Sequence, residues 1–78
     1  MHYVYILRLM NKDHYSGYSS DLQKRLKAHE KGLVQATANF RPLELVFYCA
    51  FRSKQKALKF EEYLKSSSGF DFRNKRLV

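Results

Sequence analysis

Tryptophan is absent from this chain of 78 residues, cysteine and proline occur once each, and glycine three times. A single cysteine, Cys49, cannot close an intramolecular disulfide and has no companion at metal-ligand spacing, so a reducing, cytoplasmic setting is expected, with Cys49 a buried strand residue. So little glycine and proline excludes a collagenous or low-complexity chain, and 45% hydrophobic residues exclude a disordered one. Long apolar runs are missing too: the longest, Leu45 to Phe51, has seven residues, too few to span a bilayer, and nothing resembles a signal peptide. No membrane role is expected. Acidic residues are scarce, seven against fifteen Lys and Arg, leaving a net charge of +8. That excess points to a polyanionic partner, nucleic acid first, because Lys and Arg release the counterions condensed on phosphates. The length suits one small domain, 1–78, and excludes a second core.

The first ten residues, MHYVYILRLM, are apolar on both alternating faces, as expected of a strand covered on two sides. Asn11, Lys12 and Asp13 read as a hairpin turn into a second strand over 14–19. An odd-length loop would put Tyr5 and Tyr15 on the same sheet face, and that arrangement is expected. Ser20 or Asp21 caps a helix over 22–31, which Gly32 ends in the left-handed conformation. Residues 33–41 read as a loop, Pro42 opens a third strand over 43–51, and Ser53 caps a second helix over 54–65. The run SSSG at 66–69 breaks that helix, and FDFRNKRLV makes a closing helical turn or two, with Phe70 and Phe72 docking the tail. The order is β-β-α-β-α with a short C-terminal helix: an α+β fold, a small three-stranded antiparallel sheet flanked by helices.

At about 100° per residue, Leu22, Arg25, Leu26 and His29 share one side of the first helix, and Lys24, Lys27 and Lys31 share the other. Arg25 and His29 therefore face the sheet. An inward guanidinium needs an anion, either an internal carboxylate or a bound phosphate. His29 fits a core histidine bonded to backbone as well as it fits a site. On the second helix Ala57, Phe60 and Leu64 form the inward stripe, Glu61 borders it and Glu62 points to solvent. An ion pair with Lys65, four residues on, accounts for Glu61 as well as a site role does. With both helices on one sheet the inward set is Tyr5, Tyr15, Arg25, His29 and Glu61. Phosphodiester hydrolysis needs exactly such types: a cation on the non-bridging oxygens, a phenol or imidazole to activate water, and a carboxylate to hold a hard divalent ion. One carboxylate suits a single Mg²⁺ or Mn²⁺, not a two-metal site. Of the remaining tyrosines, Tyr3, Tyr48 and Tyr63 read as packing residues.

These residues also carry a resemblance. VYI at 4–6, YSG at 15–17, Asp21, Arg25 and His29 on one helix and Glu61 on the next resemble the GIY-YIG endonuclease domain. Arg41-Pro42-x-x-Leu45-Val46, with Ala57-x-x-x-Glu61-x-x-x-Lys65, is similar to the short standalone branch of that family, often described only as uncharacterised proteins. The resemblance runs from Tyr3 to Leu77 and implies metal-dependent cleavage of DNA. It implies Tyr5 as general base or water-positioning group, Tyr15 as placing nucleophile and phosphate, and Gly17 as leaving room for the substrate backbone. It further implies Arg25 as phosphate clamp, Glu61 as metal ligand, and His29 at a position held elsewhere by histidine or tyrosine. Val4 stands where the name-giving motif has Gly-Ile, and Ser16 where the second has Ile. Asn74 lies near a common asparagine and receives no role.

The expectation is an endonuclease of low sequence specificity, with the phenol charge of Tyr5 favoured by Arg25 and a separate protein partner able to supply specificity. The alternative is a nucleic-acid-binding module that keeps the fold without turnover. Gly17, Arg41, Lys54, Lys56, Lys65 and Arg73 are the expected nucleic-acid contacts.

Overall fold

The central strand, β1 (His2–Arg8), carries four consecutive fully buried residues, Val4, Tyr5, Ile6 and Leu7, because both faces of the sheet are covered there. The computed structural model describes residues 1–78. β1 pairs antiparallel with β2 (His14–Ser19) on one side and with β3 (Glu44–Phe51) on the other, giving the order β2-β1-β3. The register sets Arg8 opposite His14, Leu7 opposite Tyr15 and Tyr5 opposite Gly17. The connecting loop is thus odd in length, and Tyr5, Tyr15 and Gly17 share a face. Its turn closes through Leu9 N–H to Asp13 O at 2.8 Å and Lys12 N–H to Leu9 O at 2.9 Å, with Lys12 at φ 71°.

α1 (Leu22–Glu30) starts where the Asp21 carboxylate accepts from Lys24 N–H at 3.1 Å, and Gly32, at φ +76°, turns the chain out of it. The loop that follows contains one 3₁₀ turn, Ala38–Phe40. α2 (Lys54–Lys65) is capped by the Ser53 hydroxyl on Lys56 N–H.

The two helical layers lie on opposite faces, which corrects the idea of one shared inward surface. Val4 and Ile6, with Tyr18, Phe47, Cys49 and Phe51, pack against Ala57, Phe60 and Leu64 of α2 and against Leu77. Burying that stripe supplies most of the hydrophobic stabilisation, on the order of 1.5–3 kcal/mol for each large side chain. α1 and its loop cover the other face, where Tyr5 meets them. Cys49 is a strand residue as expected, but half-buried.

The C-terminus departs most from expectation. SSSG does not leave a gap: Ser66 alone ends α2, and its hydroxyl accepts from Gly69 N–H at 3.2 Å to cap α3 (Ser67–Arg76). Arg73, Lys75 and Arg76 in the last turn complement the helix dipole. Phe70 does not dock this helix, being 50% exposed, whereas Phe72, 37% exposed, sets its ring 6.0 Å from that of Tyr63 on α2; Gly69, Arg73 and Leu77 face inward. Tyr48 is likewise exposed, at 56%, and is not a core residue; Tyr63, 41% exposed, packs its ring against those of Phe60 and Phe72.

Candidate active site

Tyr5 leaves the middle of β1 and leans over Gly17. A Cβ at Gly17 would stand 2.5 Å from Cζ and Oη of Tyr5 and 3.1 Å from the Tyr15 ring, so the phenols occupy the space that any other residue would fill. The tip of Tyr5 meets α1. Its hydroxyl lies 2.8 Å from His29 Nε2, and Arg25 Nε donates to it at 3.4 Å. Tyr15 completes the group, its ring 6.5 Å from that of Tyr5 and edge-on to His29 at 5.4 Å.

His29 is fully buried, and its other nitrogen, Nδ1, lies 2.7 Å from Thr37 Oγ1. The Thr37 hydroxyl donates in turn to Val34 O at 3.5 Å. Thr37, also fully buried, escaped sequence reasoning because its loop shows no period; a threonine eight residues beyond the inward histidine gives no local signal. His29 is thus a core histidine and a member of the cluster at once.

Burial first, and then the charge of Arg25, lower His29 to a pKa of about 4, so the imidazole is neutral at pH 7. Tyr5 is raised above the usual phenol range, chiefly by burial. Arg25 favours the phenolate as expected, through its hydrogen bond, but desolvation outweighs it and the net shift is upward. The Tyr5 phenol in turn holds the half-buried Arg25 above its ordinary range. No carboxylate pairs with Arg25, so its charge is free for an incoming anion.

Glu61 does not join this hydrogen-bonded group. It sits on α2, half-buried and paired with Lys65 at 3.1 Å, near enough for its charge to be felt at Tyr5. No three His, Cys, Asp or Glu side chains converge anywhere in the structure. The expected phosphate contacts are scattered. Lys54 and Lys56 are exposed in the first turn of α2, and Lys65 is on Glu61. The Arg41 guanidinium is engaged with the carbonyls of Ala38 and Glu30, and Arg73 is buried in α3. None of the clefts of the molecule is lined by Tyr5, Arg25 or His29. Tyr5 and His29 are themselves fully buried, and the half-buried Arg25 and Tyr15 are the members of the cluster that reach solvent.

Residues 1–76 match the GIY-YIG catalytic domain. The chain belongs to the GIY-YIG family. It is 37% identical over 65 residues to the UPF0213 protein YazA of Bacillus subtilis (strain 168), covering 82% of this chain and 66% of that one. It is 38% identical over 66 residues to the UPF0213 protein CPE1444 of Clostridium perfringens (strain 13 / Type A), covering 83% and 71%. The chain therefore spans about two thirds of the length of these relatives. The solution structure of the UPF0213 protein BH0048 from Bacillus halodurans is similar at 34% identity with a TM-score of 0.61, over 95% of this chain and 82% of that one. The GIY-YIG fold is of nuclease type, and no helix here is long and apolar enough to cross a membrane.

Proposed function

We propose that this GIY-YIG chain is a divalent-metal-dependent endonuclease that hydrolyses DNA phosphodiester bonds with low sequence specificity. One observation carries the reading: the buried chain Tyr5–His29–Thr37, with Arg25 on its phenol and no internal anion to neutralise it.

The donors and acceptors order themselves along that chain. Thr37 turns its single proton toward Val34 O, so it accepts from Nδ1–H of His29. Nε2 is then the unprotonated nitrogen, and the Tyr5 hydroxyl donates to it. A water aligned on the Tyr5 oxygen passes its proton to the phenol as the phenol passes its own to His29. The water oxygen bonds to phosphorus while the bond to the leaving oxygen breaks. Arg25 meets the charge on the non-bridging oxygens, and Tyr15 borders the same space. In the empty site burial first, and then the nearby Arg25, disfavour imidazolium; a bound phosphate offsets the Arg25 part, so substrate itself makes His29 a better acceptor.

Glu61 would hold the metal. A lone carboxylate fits Mg²⁺ or Mn²⁺, which retain several waters and take few protein ligands, and does not fit a pair of ions. When bound, such an ion screens the charge gathering on the leaving oxygen. Glu61 must first part from Lys65, which an exposed pair does for less than about 1 kcal/mol, releasing Lys65 for phosphate. The Glu61–Lys65 pair also favours a second reading, a binding module without turnover.

Nicking of supercoiled plasmid with and without Mg²⁺ decides between them. Cleavage is expected only with metal, lowered about 10²–10⁴-fold by Tyr5→Phe and strongly by Glu61→Gln. Binding that weakens with salt, with no cleavage under any metal, establishes the module instead.

A further inference from the structure

A second cation stands unanswered on the other side of the sheet. Arg73 is only 7% exposed, yet no carboxylate pairs with it, since the one ion pair of the protein is Lys65–Glu61. Its Nε donates to Asn74 Oδ1 at a long 3.4 Å, and its guanidinium carbon lies 4.5 Å over the centroid of the Phe70 ring. The two terminal nitrogens have no partner. They are not sealed in, because Ser16 Oγ is the single enclosed side-chain polar atom without a hydrogen bond. The stem is thus held rigidly by packing while the fork stays open.

Arg73 lines a cleft of about 430 Å³ with Lys12, Asp13, His14, Phe70 and Asn74. Lys12 stands there in the left-handed region at φ 71°, the conformation by which the hairpin loop closes. Burial first, and then the charges of Arg73 and Arg8, hold His14 below its usual range, which leaves its ring neutral and able to hydrogen-bond. The only acid in the cleft, Asp13, is exposed and takes the Asn11 amide on Oδ2 at 3.1 Å. Two cations, a neutral imidazole and an amide around an open guanidinium fork make a donor set for phosphate, whose oxygens an arginine can take two at a time.

Position says which phosphate. His14 directly precedes Tyr15 in β2, and successive strand residues point to opposite faces. The cleft therefore lies across β2 from the Tyr5–Tyr15 cluster, and β2 is an edge strand. A nucleic-acid strand seated at both places bends sharply around that edge. A single strand bends so; a duplex with a persistence length of about 50 nm resists it.

We propose that this cleft, built on Arg73 and Lys12, is a phosphate seat that takes a backbone phosphate of a single-stranded segment wrapped over the edge of β2. That the phosphate belongs to nucleic acid rests on the function proposed above; the seat itself does not.

The test is an NMR titration of the full chain, first with inorganic phosphate and then with a short single-stranded oligonucleotide and its duplex. Saturable shifts at Arg73 Nε–H, Lys12 and His14 with phosphate are expected. Arg73→Gln should abolish them at Lys12 and His14. Lys12→Gln, on the hairpin and independent of the buried stem, should reduce the salt slope of single-strand binding by about 0.7, one phosphate, and leave the duplex slope unchanged. Shifts confined to Lys54, Lys56 and the α1 lysines, or a silent Arg73, overturn the seat. Equal Lys12 dependence for duplex overturns the single-strand assignment. Phosphate shifts in a chain that never cleaves leave the seat standing and remove the nuclease; Tyr5-dependent cleavage with a silent Arg73 does the reverse.

Discussion

The two faces of one small sheet do different work. On the face under α2 and α3, Val4, Ile6, Ala57 and Leu64 are sealed against one another with aromatic neighbours, and Ser16 Oγ is the lone misfit. On the face under α1, the residues buried deepest are polar at their tips: Tyr5, His29 and Thr37. Burial there is accompanied by hydrogen bonds at every step, which keeps it affordable and orders the protons along a line. The apolar core is thus concentrated on one side of β1 and the hydrogen-bonded polar cluster on the other, with a single strand serving both.

Substitutions can break that division. Leu64→Ala should have the largest effect, a loss of about 2–5 kcal/mol in urea unfolding, while the molecules that remain folded cleave at an unchanged rate. Equal losses in rate and stability would mean that the faces are not separable. Gly17→Ala addresses the other side. Its methyl must push the Tyr5 ring aside, so cleavage should fall about 100-fold with a much smaller change in unfolding midpoint. Acidification tests His29. Its folded pKa lies below its unfolded one, so the unfolded chain takes up the proton first. Stability is complete above about pH 6.5 and is lost as the pH falls toward 4, at no more than about 1.4 kcal/mol per pH unit. His29→Gln should flatten that part of a denaturation series recorded against pH. Ser16→Ala should do least and in the opposite direction, adding up to about 1 kcal/mol by removing an unpaired buried hydroxyl, seen as a higher melting temperature.

Local chemistry made much of this legible in advance. The hairpin residues, the Ser53 cap and the Gly32 exit predict β2, α2 and the end of α1 closely, because caps and turns act within a few residues. The period of two placed Tyr5 beside Tyr15, and the helical period turned Arg25 and His29 inward. What failed was tertiary. No period reveals that the inward stripes of α1 and α2 meet opposite faces of β1, nor that Glu61 takes Lys65 as its hydrogen-bond partner. Ser66 to Gly69 look like a breaker by propensity, but a serine cap and close packing of Gly69 make them a helix start. Thr37 needed the fold to bring it to His29, and the rise in the Tyr5 pKa needed the depth of its burial.

The last link of the hydrogen-bond chain belongs to the loop between α1 and β3, not to the sheet. If that loop lifts, Thr37 departs, Nδ1 loses the acceptor that fixes its proton, and Nε2 is no longer reserved for Tyr5. Folding down this segment and fixing the His29 tautomer are therefore a single event, and amide exchange around Thr37 should report how often the two are lost together.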